Sequence, residues 1–390
     1  MKKFLTVLLY IFLVFIAVEL GLKIFLMFFE KYSSWEERSN LFKEDSLLGW
    51  RGVPNRKVMV KTFESKFFVE TDSSGFRNTI NSENTNKGKK ILMYGDSFLW
   101  GYHLNNDELI SSMLSKELNV EVKNYGMVGY GTDQEYLLFK ETVEDSSVVV
   151  FLFYINDLRD ILNDNLKTPY KPKPRFIIKD DTLVLVNYPV KKEKYVEIKE
   201  RSPVNNFNLR YRLSSSIKRM LYFSNIFKFA ISYLQYNSIG KRLYEKNLMD
   251  IPEFMKPEWD IPNFNDMNTA LKIYEKLIQK IKFECERKKC ELLIFMIPSE
   301  FTYQEDLIEK LKRLEKFYGY KNKYFEIMKN VEDILKKNDI DYIYPYEEFM
   351  ERNKEKSLTK NFDKHFSKEG AIFVKELLRK KLDYYSSSYR

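Results

Sequence analysis

Histidine and cysteine are almost missing from this chain, which carries two of each in 390 residues. So few cysteines exclude a disulfide-dense scaffold, and the four residues stand in no zinc-site spacing. No P-loop is present, and no G-x-G-x-x-G opens a helix, so no nucleotide cofactor is expected. No metal is expected either. Clustered charge is lacking too: 65 basic and 56 acidic residues are mixed along the whole length, giving a net charge of +9 with no basic arm. That mixing describes a solvated surface and offers no nucleic-acid module, although it suits an anionic envelope polymer or membrane face.

Long hydrophobic runs are also scarce, with one exception at the N-terminus. Phe4 to Phe29 is almost wholly apolar, follows Lys2 and Lys3, and is broken only by Glu19 and Lys23. About 20 such residues cross a bilayer as a helix. "AVELGLKIFLMFF" offers no A-x-A-like cleavage site, so an uncleaved single-pass anchor is the expectation. Glu19 and Lys23 share a helical face and can pair there. The leading lysines place the N-terminus in the cytoplasm and the body of the protein outside, making it extracytoplasmic, while Lys31 and Arg38 pull weakly the other way. A buried core helix is the alternative for this stretch.

The remaining chain divides by rhythm. Residues 1–31 form the anchor and 32–88 an N-terminal extension, in which "KVMVKTFESKFFVE" alternates as one or two strands before the turn "DSSGFRN" and the linker "NSENTNKGKK". Residues 89–160 alternate strand and helix: strand 91–94, helix 107–118, strand 120–124, helix 133–143 and the strand in "SVVVFLFYIND". Near-continuous apolar strands of this kind belong in a parallel sheet covered on both faces. Residues 161–264 interrupt the pattern with a hairpin turning at Asp180 and Asp181, then an aromatic helical stretch suited to core packing, a lid or a membrane face. From 265 to 390 the rhythm returns: helix 267–287, "ELLIFMIP", helix 324–337, "IDYIYP" and a last helix from Ser367. The expected fold is a three-layer α/β/α sandwich around a mostly parallel sheet. Cys285 and Cys290 fall between a helix end and a strand start, where an exported domain could join them or leave two thiols.

Ligands of parallel α/β sheets bind off the carboxyl ends of the strands. Four segments fall there: "GDSF" with Ser97, "NYGMVGYGTD" with Gly129, "YIND" with Asn156, and "NFDKHFSKEG" with Asp363 and His365. A serine needs a base, and the chain has only His103 and His365 to offer. Ser97 is the candidate nucleophile and His365 its base, with Asp363 to orient the imidazole. The backbone N–H groups of Ser97 and Gly129 and the Asn156 amide are candidate donors to the oxyanion. Asp96 is expected to order the serine turn. His103 reads as a polar loop residue, Asp157 as a second turn-former, and Tyr94, Trp100 and Tyr102 as possible pocket walls.

These four blocks, in this order, resemble the SGNH, or GDSL-type, hydrolases over residues 89–160 and 265–385. The resemblance implies a flavodoxin-like α/β core and places the serine nucleophile, the oxyanion-hole glycine and asparagine, and the histidine base on Ser97, Gly129, Asn156 and His365. "GWRGVPN" and "SSGFRN" are similar to stretches of membrane-anchored bacterial members. Two departures stand out: Tyr154 occupies the glycine position of G-x-N-D, and Asp363 and His365 form D-x-H where D-x-x-H is common. The latter leaves Asp363 either an orienting acid or a cap of the last helix. The implied activity is a serine esterase or O-acyltransferase acting on acyl groups of envelope glycans or lipids, alongside envelope polysaccharide machinery. A non-catalytic envelope assembly or glycan-binding protein is the rival from another class, and a lipase or thioesterase drawing acyl chains from the membrane is the third.

Overall fold

The computed structural model describes residues 6, 10, 13–21, 41–61, 65–79, 89–167, 170–191, 264–303, 320–360 and 364–387. They fall in two units, one drawn from Met1–Ser34 and Glu197–Pro257, the other from Trp35–Val196 and Glu258–Arg390. Within the first unit, residues 13–21 are helical and expose Leu13, Val14, Phe15 and Leu20. Most of the expected anchor lies outside the described residues, and among the described ones no helix is long and apolar enough to cross a membrane.

The second unit is built on five parallel strands. β5 (Ile91–Gly95), β6 (Val122–Gly126), β7 (Val148–Phe153), β12 (Glu291–Met296) and β13 (Asp341–Ile343) lie in the order β13-β12-β7-β5-β6. Numbered among themselves from the edge at β6, they run 2-1-3-4-5, the flavodoxin-like order whose switch point lies between the first and third strands. That point is the carboxyl end of β5 and β7. Every residue of β7, Val-Val-Val-Phe-Leu-Phe, is buried, as the near-continuous apolar run requires of a strand covered on two faces. Each such side chain contributes roughly 1.5–3 kcal/mol by leaving water.

Helices form the outer layers. α1 (Ser97–Trp100), α2 (Ile110–Leu118), α3 (Thr132–Thr142), α4 (Asn156–Asp160), α5 (Phe264–Arg287), α6 (Tyr320–Lys337), α7 (Tyr346–Glu355) and α8 (Lys368–Ser387) follow in chain order. α2 packs with α8, while α5 packs with α3, α4 and α6. The expected helix 107–118 is interrupted: Asn106–Glu108 is a 3₁₀ turn and Leu109 is extended before α2 begins. α7 was not legible in the sequence, because only Phe349 of its ten residues is buried and no apolar stripe marks it.

Tyr94 is a correction to the sequence reading. Its ring stacks between Tyr125 and Phe151 and its hydroxyl meets Thr142 at 2.9 Å, so it belongs to the core and lines no pocket. Cys285 and Cys290 are free. Cys290 N–H instead donates to Cys285 O across Lys289, whose φ of +56° closes α5 in a left-handed cap.

The N-terminal extension supplies two hairpins, β1 (Phe42–Asp45) with β2 (Gly49–Gly52), and β3 (Lys57–Lys61) with β4 (Lys66–Glu70). Both brace the core. Trp50 Nε1 donates to Val128 O at 3.0 Å, Tyr130 donates its hydroxyl to Trp50 O, and Gln134 Nε2 donates to Leu48 O at 2.6 Å. Val60, Phe67 and Val69 form one apolar cluster with Trp100 and Tyr102. Gly52 and Gly75 meet backbone to backbone, since a Cβ on Gly52 would lie 1.7 Å from Gly75 O. Most of the linker, up to residue 88, lies outside the described residues.

Two further hairpins open the expected insertion: β8 (Asn165–Lys167) with β9 (Tyr170–Pro172), and β10 (Arg175–Lys179) with β11 (Thr182–Val186). Asp180 and Asp181 have φ of +48° and +59°, the left-handed pair that a two-residue hairpin loop demands. The aromatic stretch beyond residue 191 lies outside the described residues.

Candidate active site

The chain turns sharply after β5. Asp96 caps α1, its Oδ1 accepting from Phe98 N–H at 2.8 Å, and this puts Ser97 at the first helical position. The expected ordering role of Asp96 is therefore observed. Its Oδ2 accepts from the Asn156 amide at 3.1 Å, which ties the end of β7 to the end of β5.

Ser97 Oγ lies 2.7 Å from His365 Nε2, although 268 residues separate them in sequence. The serine hydroxyl also stands 3.4 Å from Asp96 Oδ2. The shorter contact decides where its proton points, because O–H hydrogen bonds weaken well before 3.4 Å. Burial raises the Asp96 carboxyl, while Phe98 N–H, the Asn156 amide and the charge of His365 pull it back.

A narrow turn holds His365. Lys360 N–H donates to His365 O at 2.8 Å, Thr359 bridges Phe366, and Ser367 N–H donates to Leu358 O at 2.9 Å. Lys364, with φ of +68°, supplies the bend just before the imidazole. Phe98 packs its ring 5.0 Å from that of His365 and 4.9 Å from that of Phe366. Asp363, the expected orienting acid, lies outside the described residues.

Gly129 sits on the loop after β6, whose register sets Gly126 against Gly95, with Met127 N–H donating to Gly95 O at 3.0 Å. Its φ of +77° is one that a Cβ would resist, and the hairpin residue Trp50 braces the same loop through Val128 O. Ser97 and His365 are thus in direct contact, Asn156 joins them through Asp96, and Gly129 occupies the neighbouring strand end.

Several site residues escaped the sequence reading. Arg77, 1% exposed, directs its guanidinium to the carbonyls of Trp100, Gly101, Leu104 and Phe68 and to Asn106 Oδ1, clamping the loop after the serine. Burial pushes this guanidinium down to about 9, so it remains charged at neutral pH. His103, read as a polar loop residue, is buried with φ of +71°, its ring 6.1 Å from that of His365 and its Nδ1 2.6 Å from Ser65 Oγ. Tyr102 packs against both imidazoles, its ring 4.8 Å from each. Trp100 packs instead into the cluster under the N-terminal hairpin. Glu300, just past the end of β12, is buried and accepts from the Tyr154 hydroxyl at 2.9 Å. The carboxyl-end rule that found Ser97 also covers Glu300, had it been applied to β12.

Beneath the site Lys173 Nζ meets both oxygens of Asp133, at 2.9 and 2.6 Å, with both side chains buried. Burial raises the Asp133 carboxyl and the lysine opposes this. Burial, followed by neighbouring carboxylates, pushes Glu135 and Asp157 well up. Asp157 thus belongs to this acidic layer as well as to the turn of α4. Among the described residues no cluster of histidine, cysteine and carboxylates has the arrangement of a metal site.

No family model matches the sequence, and no curated protein does. Solved structures do resemble it. One is a member of the lipolytic protein G-D-S-L family from Veillonella parvula DSM 2008, at 10% identity and a TM-score of 0.35, covering 74% of this chain and 97% of that one. Another is the lipase/acylhydrolase from Enterococcus faecalis, at 10% identity and 0.35, covering 75% and 95%. A third is a catalytic mutant of Axe2, an acetylxylan esterase from Geobacillus stearothermophilus, at 12% identity and 0.34, covering 76% and 95%. Likeness at this level transfers no substrate, activity or residue role to this chain.

Proposed function

We propose that the protein is a serine esterase or O-acyltransferase that works through an acyl-enzyme on Ser97. The observation that carries this reading is the 2.7 Å contact between Ser97 Oγ and His365 Nε2 at the switch point of the sheet. Neutral His365, protonated on Nδ1, takes the hydroxyl proton as Ser97 Oγ bonds to the acyl carbon. Negative charge builds on the former carbonyl oxygen, and the N–H groups of Ser97, Gly129 and Asn156 are its donors. Collapse of this intermediate breaks the ester bond, and the departing alcohol takes the proton from His365. Water then attacks the acyl-enzyme to give hydrolysis, or a second hydroxyl attacks to give transfer, each again passing its proton to His365.

The substrate is proposed to be an acylated cell-envelope glycan or lipid, met outside the cytoplasm by an anchored enzyme. Supporting this are the apolar run Phe4 to Phe29 and the exposure of Leu13, Val14, Phe15 and Leu20 in the helical residues 13–21. The full chain should hydrolyse an activated acetyl ester and bind a fluorophosphonate at one site, with Ser97→Ala abolishing both. Equal rates for wild type and Ser97→Ala would end the proposal.

A further inference from the structure

Tyr154 stands where the SGNH-like pattern has glycine, and its side chain is turned inward, 1% exposed. Its hydroxyl donates to Glu300 Oε2 at 2.9 Å and lies 3.4 Å from Ser299 Oγ. Its ring lies 4.5 Å from that of Phe98, which in turn lies 5.0 Å from His365. One aromatic ring thus separates the tyrosine that anchors this carboxylate from the ring that receives the serine proton. Glu300 is itself 1% exposed, and its Oε1 has no hydrogen-bond partner among the described residues. A buried carboxylate with half of its accepting capacity unused costs stability that an apolar side chain would not. Such a group, one ring removed from the imidazole that meets Ser97, calls for a function.

We propose that Glu300 is a positioning residue for His365: its carboxylate, fixed by Tyr154, stabilises the imidazolium that forms when Ser97 gives up its proton. This rests on the serine-acyl reading of the same site. Burial raises Glu300 to about 6, against its own backbone N–H, the Tyr154 hydroxyl and the positive charges of Lys364 and His365. At neutral pH the carboxylate is therefore ionised. The groups that face it are Tyr154 from the end of β7, Lys364 and His365 from the turn before α8, and Tyr303 from its own turn, whose hydroxyl is pushed up by burial and then by the Glu300 charge. Opposite charges favour each other's ionised forms, so removing Glu300 must make His365 easier to deprotonate.

The chain's two histidines make the test direct, because imidazole NMR of the full protein has only two rings to separate, assigned with His103→Asn. Glu300→Gln should lower the His365 midpoint by about one pH unit. Tyr154→Phe should lower it by less, because Glu300 then ionises at higher pH and is less charged where His365 titrates. A His365 midpoint that is unchanged in both folded variants overturns the proposal. Should Glu300→Gln not fold, the curve of the His103→Asn protein decides, since the neighbouring imidazole is then gone: a second inflection near pH 6 in the His365 signal supports the coupling, and a single step overturns it. Fluorophosphonate labelling of Ser97 is scored separately. A labelled serine with an unmoved midpoint defeats the role of Glu300 alone, while a moved midpoint with no labelling defeats the acyl chemistry alone.

Discussion

The Asn156 amide donates to Asp96 Oδ2 at 3.1 Å, joining the residue at the start of α4 to the residue that caps the helix of Ser97. One N–H of that amide is committed to orientation and the other remains for an oxyanion. Asn156→Ala should therefore lower kcat by about 10²- to 10³-fold while KM changes little. Steady-state kinetics on an activated acetyl ester would check this, and a loss confined to KM would remove Asn156 from the oxyanion hole.

Ser97 and His365 act as one unit if their contact is the working one. Ser97→Ala, His365→Gln and the double variant are expected to fall to a common floor, roughly 10⁴- to 10⁶-fold below wild type. Single-variant losses that multiply in the double variant would show two independent roles.

Arg77 should be among the least replaceable residues around the site. Arg77→Lys keeps the charge but cannot span the Trp100, Gly101, Leu104 and Phe68 carbonyls together, and leaves some of them buried without donors. A destabilisation of about 3 kcal/mol is expected, read as a lower denaturant midpoint at unchanged slope.

The Lys173–Asp133 pair makes a sharper test of buried charge, since its side chains are 2% and 1% exposed. Lys173→Met strands the Asp133 carboxylate and should cost about 3–5 kcal/mol, whereas Lys173→Met with Asp133→Leu should recover most of it. Equal losses in the single and double variants would show that packing, and not charge, dominates there.

Glu300 also shapes stability against pH. Its folded value of about 6 lies above the ordinary 4.5, so between these the folded chain holds a proton that the unfolded chain has released. Its contribution is greatest below pH 4.5 and declines as the pH rises to about 6, by about 2 kcal/mol in total. Glu300→Gln should remove that decline, so its melting temperature should gain on wild type between pH 4.5 and 6.5.

Much of the core was legible because β5 and β7 are apolar without interruption and the helices between them are amphipathic. The serine, the histidine and the asparagine could be placed because each follows the end of a strand or precedes a helix, and because only two histidines were on offer. Arg77, Ser65 and Trp50 were not legible. Their importance comes from contacts across long stretches of chain, such as Trp50 to Val128 and Arg77 to Leu104, and no local periodicity announces these. Tyr94 was misplaced for a related reason: nearness to Ser97 in sequence says little within a strand, where alternate side chains face opposite ways.

The N-terminal extension grips the serine loop through Arg77, just past the second hairpin, and the glycine loop through Trp50, which bears on where this protein can be cut. A fragment starting at residue 89 keeps every strand of the parallel sheet, yet it strips the cover from Trp100 and Tyr102 and the donors from the carbonyls beside them. Such a fragment would hold the reactive groups on an unpinned rim. For any recombinant version, the smallest body that keeps these braces begins no later than Leu41.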